Sequence, residues 1–491
     1  METTRVLQGL EPKEVLYFFE ELSGRHRCSR HEKQASDWVA SFAEERGLEY
    51  HQDDMDSIIV KKPGSPGYEN APTVILHGHI DMVCKTDDGV EHDFSSGGVD
   101  LEVEGEFVKA KGTTLGADNG LGIAYMLALL DSDDIPHPPL ECVMTVMEEM
   151  GKVGGDNIDV SLLTGKRMID FNWIEEKQLL AGCSGDVSCK IHLDADWESP
   201  ESGLTPMKLD IRGLKGGHCE FDIHLERASS IVLLARMLNE ILDEKDVRIA
   251  AVSGGVQNNV IAAESAATIL AKPEDTDDIS RIVEKVASEI KAEFAIADPD
   301  ISISISETDD EVSRVFSKEA AKRLTRFIAL LPDGVQTKNL EVEGNWETSN
   351  NIGIMVMDEE GAEIICTITS AVTSRKHDVL KKIELLAELS GDGVKAEQMG
   401  LDAPEFPWNP DSAMLQIAKK SYTDVMGREP EILVSVCSLE LGMFTQRIDG
   451  LDTIGIGTEL LDVHSPRERM NHESVARVWP VIKNVMKNLD K

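Results

Sequence analysis

Three short stretches of this chain end in side chains that bind metals or move protons. The first, Thr73-Val-Ile-Leu-His-Gly-His79-Ile-Asp81, is an apolar run closing on an imidazole and a carboxylate two positions apart. The second, Gly112-Thr-Thr-Leu-Gly-Ala-Asp118-Asn-Gly120, sets an acid behind a glycine-rich turn, and the third, Thr145-Val-Met-Glu148-Glu149, ends on two adjacent acids. Far along the chain, the loop 457–469 supplies a second imidazole, His464. Residues two apart in an extended segment face the same side, so His79 can bind a cation while Asp81 orients it. Asp118 has two oxygens with which to bridge two cations. Adjacent carboxylates ending an apolar strand are costly unless cations neutralise them. Strand neighbours point opposite ways, so Glu149 can bind metal while Glu148 takes a proton from activated water. Taken singly, each has an ordinary reading: Asp118 as a helix N-cap, His464 as a surface histidine. Together they point to a metallohydrolase.

The elements that must position these residues alternate strand and helix. Amphipathic helices are expected over 12–22, with Val15, Phe18, Phe19 and Leu22 on one face, and from 29 or 32 to 46, closed by Gly47. Strands follow over 57–62, 73–79, 140–147 and 167–171, and a buried helix over 120–130. This alternation argues an α/β fold with a mixed or mostly parallel sheet covered on both faces, and sites in such folds form at the carboxyl ends of strands. Near 183–186 the character changes. Strands around 208–212, 260–270, 301–306 and 362–373, with helices over 224–242, 279–294, 311–331 and 377–389, form a β-α-β plan with its own core. That region is expected to be one or two ferredoxin-like units inserted into the first domain. The first plan then resumes with a helix over 412–426, strands over 431–436 and 452–456, and a last helix over 473–489. The expected organisation is a discontinuous catalytic domain, 1–187 with 400–491, interrupted by an α+β domain, 188–399.

Composition narrows the partners. The 491 residues are 41% apolar, enough for large cores, and the 90 acidic against 49 basic residues give a net charge of −41. That charge repels phosphates, so neither nucleic acid nor an anionic membrane is an expected partner. The start Met1-Glu-Thr-Thr-Arg-Val lacks an export signature, and no apolar run reaches the roughly 18–20 residues that span a bilayer, so a cytoplasmic location is expected. Eight cysteines are scattered without a Cys-x-x-Cys pair, which suggests buried thiols rather than a disulfide framework or a thiolate zinc site.

Five strings, read together, carry a family pattern: His79-Ile-Asp81-Met-Val, Gly112-Thr-Thr-Leu-Gly-Ala-Asp118-Asn-Gly, Glu148-Glu149-x-Gly, Gly213-Leu-Lys-Gly-Gly-His218 and His464-Ser-Pro-x-Glu468. By these, nearly end to end, the sequence resembles the aminoacyl-histidine (Xaa-His, carnosinase-like) dipeptidases of the two-zinc metallopeptidase superfamily. The resemblance implies that His79 binds one zinc, Asp118 bridges both, and Glu149 and His464 hold the second. It further implies that Asp81 steadies His79, that Glu148 is the general base, and that His218, on an inserted lid and dimerisation domain, helps stabilise the oxyanion. Manganese or cobalt can replace zinc in oxygen-rich sites of this kind.

The chain also departs from that pattern. Where relatives place an acidic ligand for the His79 metal, this chain has the amide Asn172, a poorer zinc ligand, so that site is expected to be weak, empty or rescued by Asp170 two positions earlier. The usual small residues after His218 are Cys219-Glu-Phe221, a His-Ala-Gly-Leu-Glu string reads Val436-Cys-Ser-Leu-Glu440, and an Arg-Asn before Ile-Pro reads Asn258-Asn259 before Val-Ile-Ala262. The expected activity is metal-dependent hydrolysis of unblocked dipeptides of Xaa-His type. The alternatives are a non-catalytic or diverged paralogue that binds peptides, and an N-acyl amino acid deacylase.

Overall fold

The computed structural model describes residues 5–340, 342 and 345–489; the first four residues, part of the start read above for an export signature, lie outside the described residues. The chain divides into two compact units, one of Met1–Cys183, Phe406–Ser435 and Leu439–Lys491, the other of Ser184–Glu405 and Val436–Ser438. The short excursion 436–438 into the second unit is not announced by any change in composition.

Four parallel strands form the centre of the first unit. Val74–His79 lies between Leu140–Thr145 and Arg167–Trp173, parallel to both, and Asp452–Gly457 joins the far side of Arg167–Trp173, again parallel. Ile58–Lys62 and then Glu49–Gln52 extend the sheet antiparallel beyond Leu140–Thr145, so the sheet is mixed. Val74–His79 and Leu140–Thr145 are buried at every position, as strands covered on both faces must be. The helix Ala117–Asp131 is apolar all round; it packs on Val74–His79, on Arg167–Trp173 and on the helix Lys13–Ser23. Leu76, Ile123, Ile169, Ile454 and Trp479 share one core. Because the four central strands run the same way, their carboxyl ends share one edge. That edge carries His79, Asn172, the residues after Thr145 and the loop after Gly457.

The second unit is an antiparallel sheet with its own core, which includes Ile191, Leu209, Ile249, Phe327 and Ile364. Beyond the later part of Gln178–Asp194, the order is Gly361–Ser370, Trp346–Met357, Arg248–Gly254, Ser265–Ala271, Thr205–Arg212 and Ser302–Glu307. The helices Ser230–Glu244 and Lys318–Leu330 pack on each other and on strands of this sheet.

Several expectations need correction, among them the helix expected from 224, which begins at Ser230, and the strand expected from 260, which begins at Ser265. The strands Arg248–Gly254 and Trp346–Met357 were not anticipated. The helix expected over 311–331 begins only at Lys318, because the Ser317 hydroxyl caps it by accepting from Ala320 N at 3.0 Å while Val315 bridges to Glu198. And Cys28 and Cys84 form a disulfide, Cα atoms 5.5 Å apart, whereas the other six cysteines are buried thiols. At a sequence separation of 56, no local spacing marks the pair. Among the described residues, no helix is long and apolar enough to cross a membrane.

Candidate metal centre

His79, the last residue of its strand, is buried and clamped from both sides. Its Nδ1 lies 3.3 Å from Asp81 Oδ1 and 3.2 Å from Asp81 O, which leaves Nε2 facing Asp118 Oδ1 at 3.3 Å. Asp81 in turn accepts from Ser29 Oγ at 2.8 Å and from the backbone N–H of Glu148 and Glu149 at 3.0 and 3.2 Å. Burial works against its charge, but His79 and these donors hold the Asp81 carboxyl below the usual range.

Asp118 is placed by its turn. Gly116 takes φ +72°, and a Cβ there would stand 2.5 Å from Arg27 Nη2 and 2.6 Å from Met82 Sδ, so both the conformation and the space require glycine. The Glu468 carboxylate accepts from the N–H groups of Leu115, Gly116 and Ala117 at 2.8–2.9 Å and of Asp118 at 3.3 Å. These donors would otherwise be orphans of a helix start, and an anion over them fixes the turn. Asp118 itself leaves helical geometry at φ −81°, ψ 106°.

The second imidazole completes the arrangement. His464 Nε2 lies 3.2 Å from Asp118 Oδ2 and 2.9 Å from Glu149 Oε1. Asp118 therefore turns one oxygen to each histidine, and Glu148 Oε2 stands 3.9 Å from His79 Nε2. Partial desolvation works against its charge, but Asp118 and Glu149 push the half-exposed His464 imidazole up to about 11. Burial, with Glu149 and Glu440 nearby, pushes the Glu148 carboxyl up to about 8. The cluster is thus anionic and low in dielectric, a place that demands positive charge. Donor atoms of His79, Glu148 and Glu149 lie within 4.8 Å of one another, as do those of Asp118, Glu149 and His464. Imidazole nitrogens and carboxylate oxygens so grouped, with Asp118 between the two sides, fit a pair of divalent cations.

Asn172 belongs to neither group. Its Oδ1 accepts from Asn119 Nδ2 at 3.2 Å, and Asn119 also donates to Phe171 O. Asp170 does not substitute for it: one oxygen takes His77 Nδ1–H at 2.6 Å and the other Asn172 N–H at 3.1 Å. The structure thereby corrects the expectation of help from Asp170, because strand alternation sends residues 170 and 172 along one side but the buried His77 claims the first of them. His77 Nε2 reaches Glu440 Oε2 at 3.1 Å, and Glu440 accepts from Thr145 Oγ1 at 2.6 Å and Gly155 N at 2.7 Å. Burial opposes the charge on His77, yet the two carboxylates raise it to about 9. This buried network braces the three strands that end at the centre. Sequence reasoning missed Arg27, Ser29 and Glu32, and gave no role to His77, Glu440 or the capping Glu468 although all three stood in quoted strings.

His218 lies in the second unit. Its N–H donates to Asp222 Oδ2 at 2.9 Å, its Nδ1 accepts from Glu220 N at 3.2 Å, and its ring packs on Phe221.

Comparison with known proteins places this geometry in a family. Over 489 residues, 98% of this chain and 99% of the relative, the sequence is 31% identical to the cytosol non-specific dipeptidase of Escherichia coli (strain K12). The chain belongs to the aminoacyl-histidine dipeptidase family of M20 metallopeptidases. The crystal structure of the aminoacylhistidine dipeptidase from Vibrio alginolyticus, 30% identical, matches it with a TM-score of 0.86 over 98% of this chain and 97% of that one. Residues 209–298, in the second unit, match the M20 peptidase dimerisation domain. The aminopeptidase PepT from Bacillus cereus ATCC 10987, at 14% identity and a TM-score of 0.56 over 98% of this chain and all of that one, shares the fold.

Proposed function

We propose that this chain is a two-metal dipeptidase that hydrolyses unblocked dipeptides, Xaa-His among them. The observation that carries the reading is Asp118 set between two imidazoles, with the proton-accepting Glu148 beside them and no part in holding His464. His79 and Asp118 would hold one cation, Asp118, Glu149 and His464 the other, and zinc suits this donor set, with manganese or cobalt as replacements. When bound, such cations polarise a peptide carbonyl and ease the deprotonation of water.

The protein's own groups do the rest. Glu148 takes a proton from the attacking water and returns it to the leaving amine. Its buried carboxyl stands 3.9 Å from His79 Nε2, beside the groups that would hold the cations. Asp81 fixes the His79 ring, so that Nε2 stays turned toward Asp118. His218 is the proposed donor to the oxyanion. The names of the two similar dipeptidases support the substrate class and, for the Escherichia coli protein, a cytosolic setting; the dimerisation-domain match supports a homodimer formed through the second unit.

The test is release of histidine from an unblocked Xaa-His dipeptide by metal-free protein before and after zinc is restored, with an N-acyl amino acid in parallel. Zinc-dependent release that vanishes in Glu148→Gln supports the reading. Cleavage of the blocked substrate alone would replace it with a deacylase.

A further inference from the structure

The segment 27–32, which links the first two helices, touches the loop after His79, the turn before Asp118 and the loop that carries Glu149. The buried Arg27 guanidinium donates to Ile80 O at 3.0 Å and to Gly116 O at 2.6 Å, joining the loop after His79 to the turn before Asp118. Ser29 Oγ donates to Asp81 Oδ2, and Glu32 Oε1 accepts from Met147 N at 3.0 Å, one residue before Glu148. The backbone follows the same course: Met82 N donates to Arg27 O at 3.0 Å and Ser29 N to Met82 O at 3.3 Å, with Cys28 and Met82 paired in a parallel bridge. The Cys28–Cys84 disulfide then ties the segment covalently to the loop that holds Asp81. Of the donors to Asp81, the backbone N–H groups of Glu148 and Glu149 belong to a ligand-bearing loop; Ser29 is the one brought in from outside.

We propose that residues 27–29 are a positioning strap for the His79–Asp81 side of the centre, kept in register by the Cys28–Cys84 disulfide, so that reducing this bond weakens cation binding on that side. The proposal rests on the two-metal reading above. The side chains involved act through Asp81 and the Asp118 turn, not on substrate. A carboxylate that orients a ligating histidine must itself be held, and loss of such support weakens metal binding. The opening step is thiol–disulfide exchange with a small dithiol: its thiolate attacks one sulfur, the Cys28–Cys84 bond breaks, both cysteines leave as thiols with two electrons and two protons gained, and the dithiol becomes a disulfide. Both cysteines are only half-buried, within reach of a small reductant. Once the bond opens, the strap retains only its hydrogen bonds, among them those of the buried Arg27 guanidinium to Ile80 O and Gly116 O, which are costly to lose away from water.

The experiment titrates zinc into metal-free, air-oxidised wild type, Cys28→Ser/Cys84→Ser, Ser29→Ala and Ser29→Thr, with a chelator indicator to resolve two steps and thermal melting to establish folding. The double variant and Ser29→Ala are expected to weaken the looser step by about 10- to 100-fold, to leave the tighter step of Asp118, Glu149 and His464 unchanged, and Ser29→Thr to recover most of the loss. Alkylation of the unreduced wild type is expected to spare Cys28 and Cys84. Two unchanged steps in a folded Ser29→Ala protein, or equal weakening of both, would overturn the strap while the two-metal reading stands; alkylation of Cys28 and Cys84 would overturn its disulfide latch. A wild type that binds no zinc would overturn the metal reading itself, and the strap with it.

Discussion

Glu148 and Glu149 are adjacent in the chain, but only Glu149 lies within 3 Å of an imidazole, at His464, while the buried Glu148 carboxyl stands 3.9 Å from the His79 ring with Glu149 and Glu440 nearby. Replacing Glu148 with Gln is expected to lower kcat by about 10²- to 10⁴-fold while zinc content stays the same, checked by metal analysis alongside steady-state rates. Asn172 faces the opposite test. Its amide is neutral and engaged with Asn119, so Asn172→Asp is expected to tighten the looser zinc step, read as a lower dissociation constant; an unchanged constant would mean that position 172 does not address a metal. At this scale the sequence is legible where chemistry is local. His79, Asp81, Asp118, Glu148, Glu149 and His464 sit in strings whose spacing already suggests shared work, and the structure brings them together. Arg27, Ser29 and the cysteine pair carry no such mark, because their partners lie more than 50 residues away.

The elements were legible in proportion to their periodicity. Helices with a clear apolar face, and the buried strands Val74–His79 and Leu140–Thr145, follow directly from pattern. Trp346–Met357 did not, since its first half runs Trp-Glu-Thr-Ser-Asn-Asn and reads as a loop. Asn350 and Asn351 are tolerated inside a sheet only because their amides reach Pro332 O at 2.6 Å and Asn258 O at 2.8 Å. The turn before the helix Ala117–Asp131 gives the sharpest test of an element's role. Gly116→Ala forces a left-handed φ on a residue with a Cβ and drives that atom into Arg27, so it should destabilise the protein by about 2 kcal/mol or more and weaken both zinc steps, measured by urea unfolding and titration.

For the molecule as a whole, His77 sets a pH dependence with a definite sign. Its value rises from 6.5 to about 9 on folding, so the folded protein binds that proton more tightly than the unfolded chain. The stabilisation is complete below about 6.5 and is lost as pH climbs through 9. The melting temperature of metal-free protein should therefore fall across that window, and His77→Gln should flatten the slope; an identical slope in the variant would exclude His77 as its source. Light scattering is expected to give twice the 54.0 kDa of one chain if the second unit pairs copies. The change in character near 183–186 lies where the chain passes from one compact unit to the other, whereas nothing in the sequence marks the excursion 436–438, three residues with no composition of their own. The Glu468 carboxylate that caps the Asp118 turn lies about 350 residues downstream of it, beside His464. On the ribosome, then, the chain emerges with His79, Asp118 and Glu149 long before the residues that finish their site. A nascent chain that has emerged only as far as Glu149 lacks both the second imidazole and the carboxylate that fixes the Asp118 turn, so the proposed centre cannot assemble until residues 464–468 have been made.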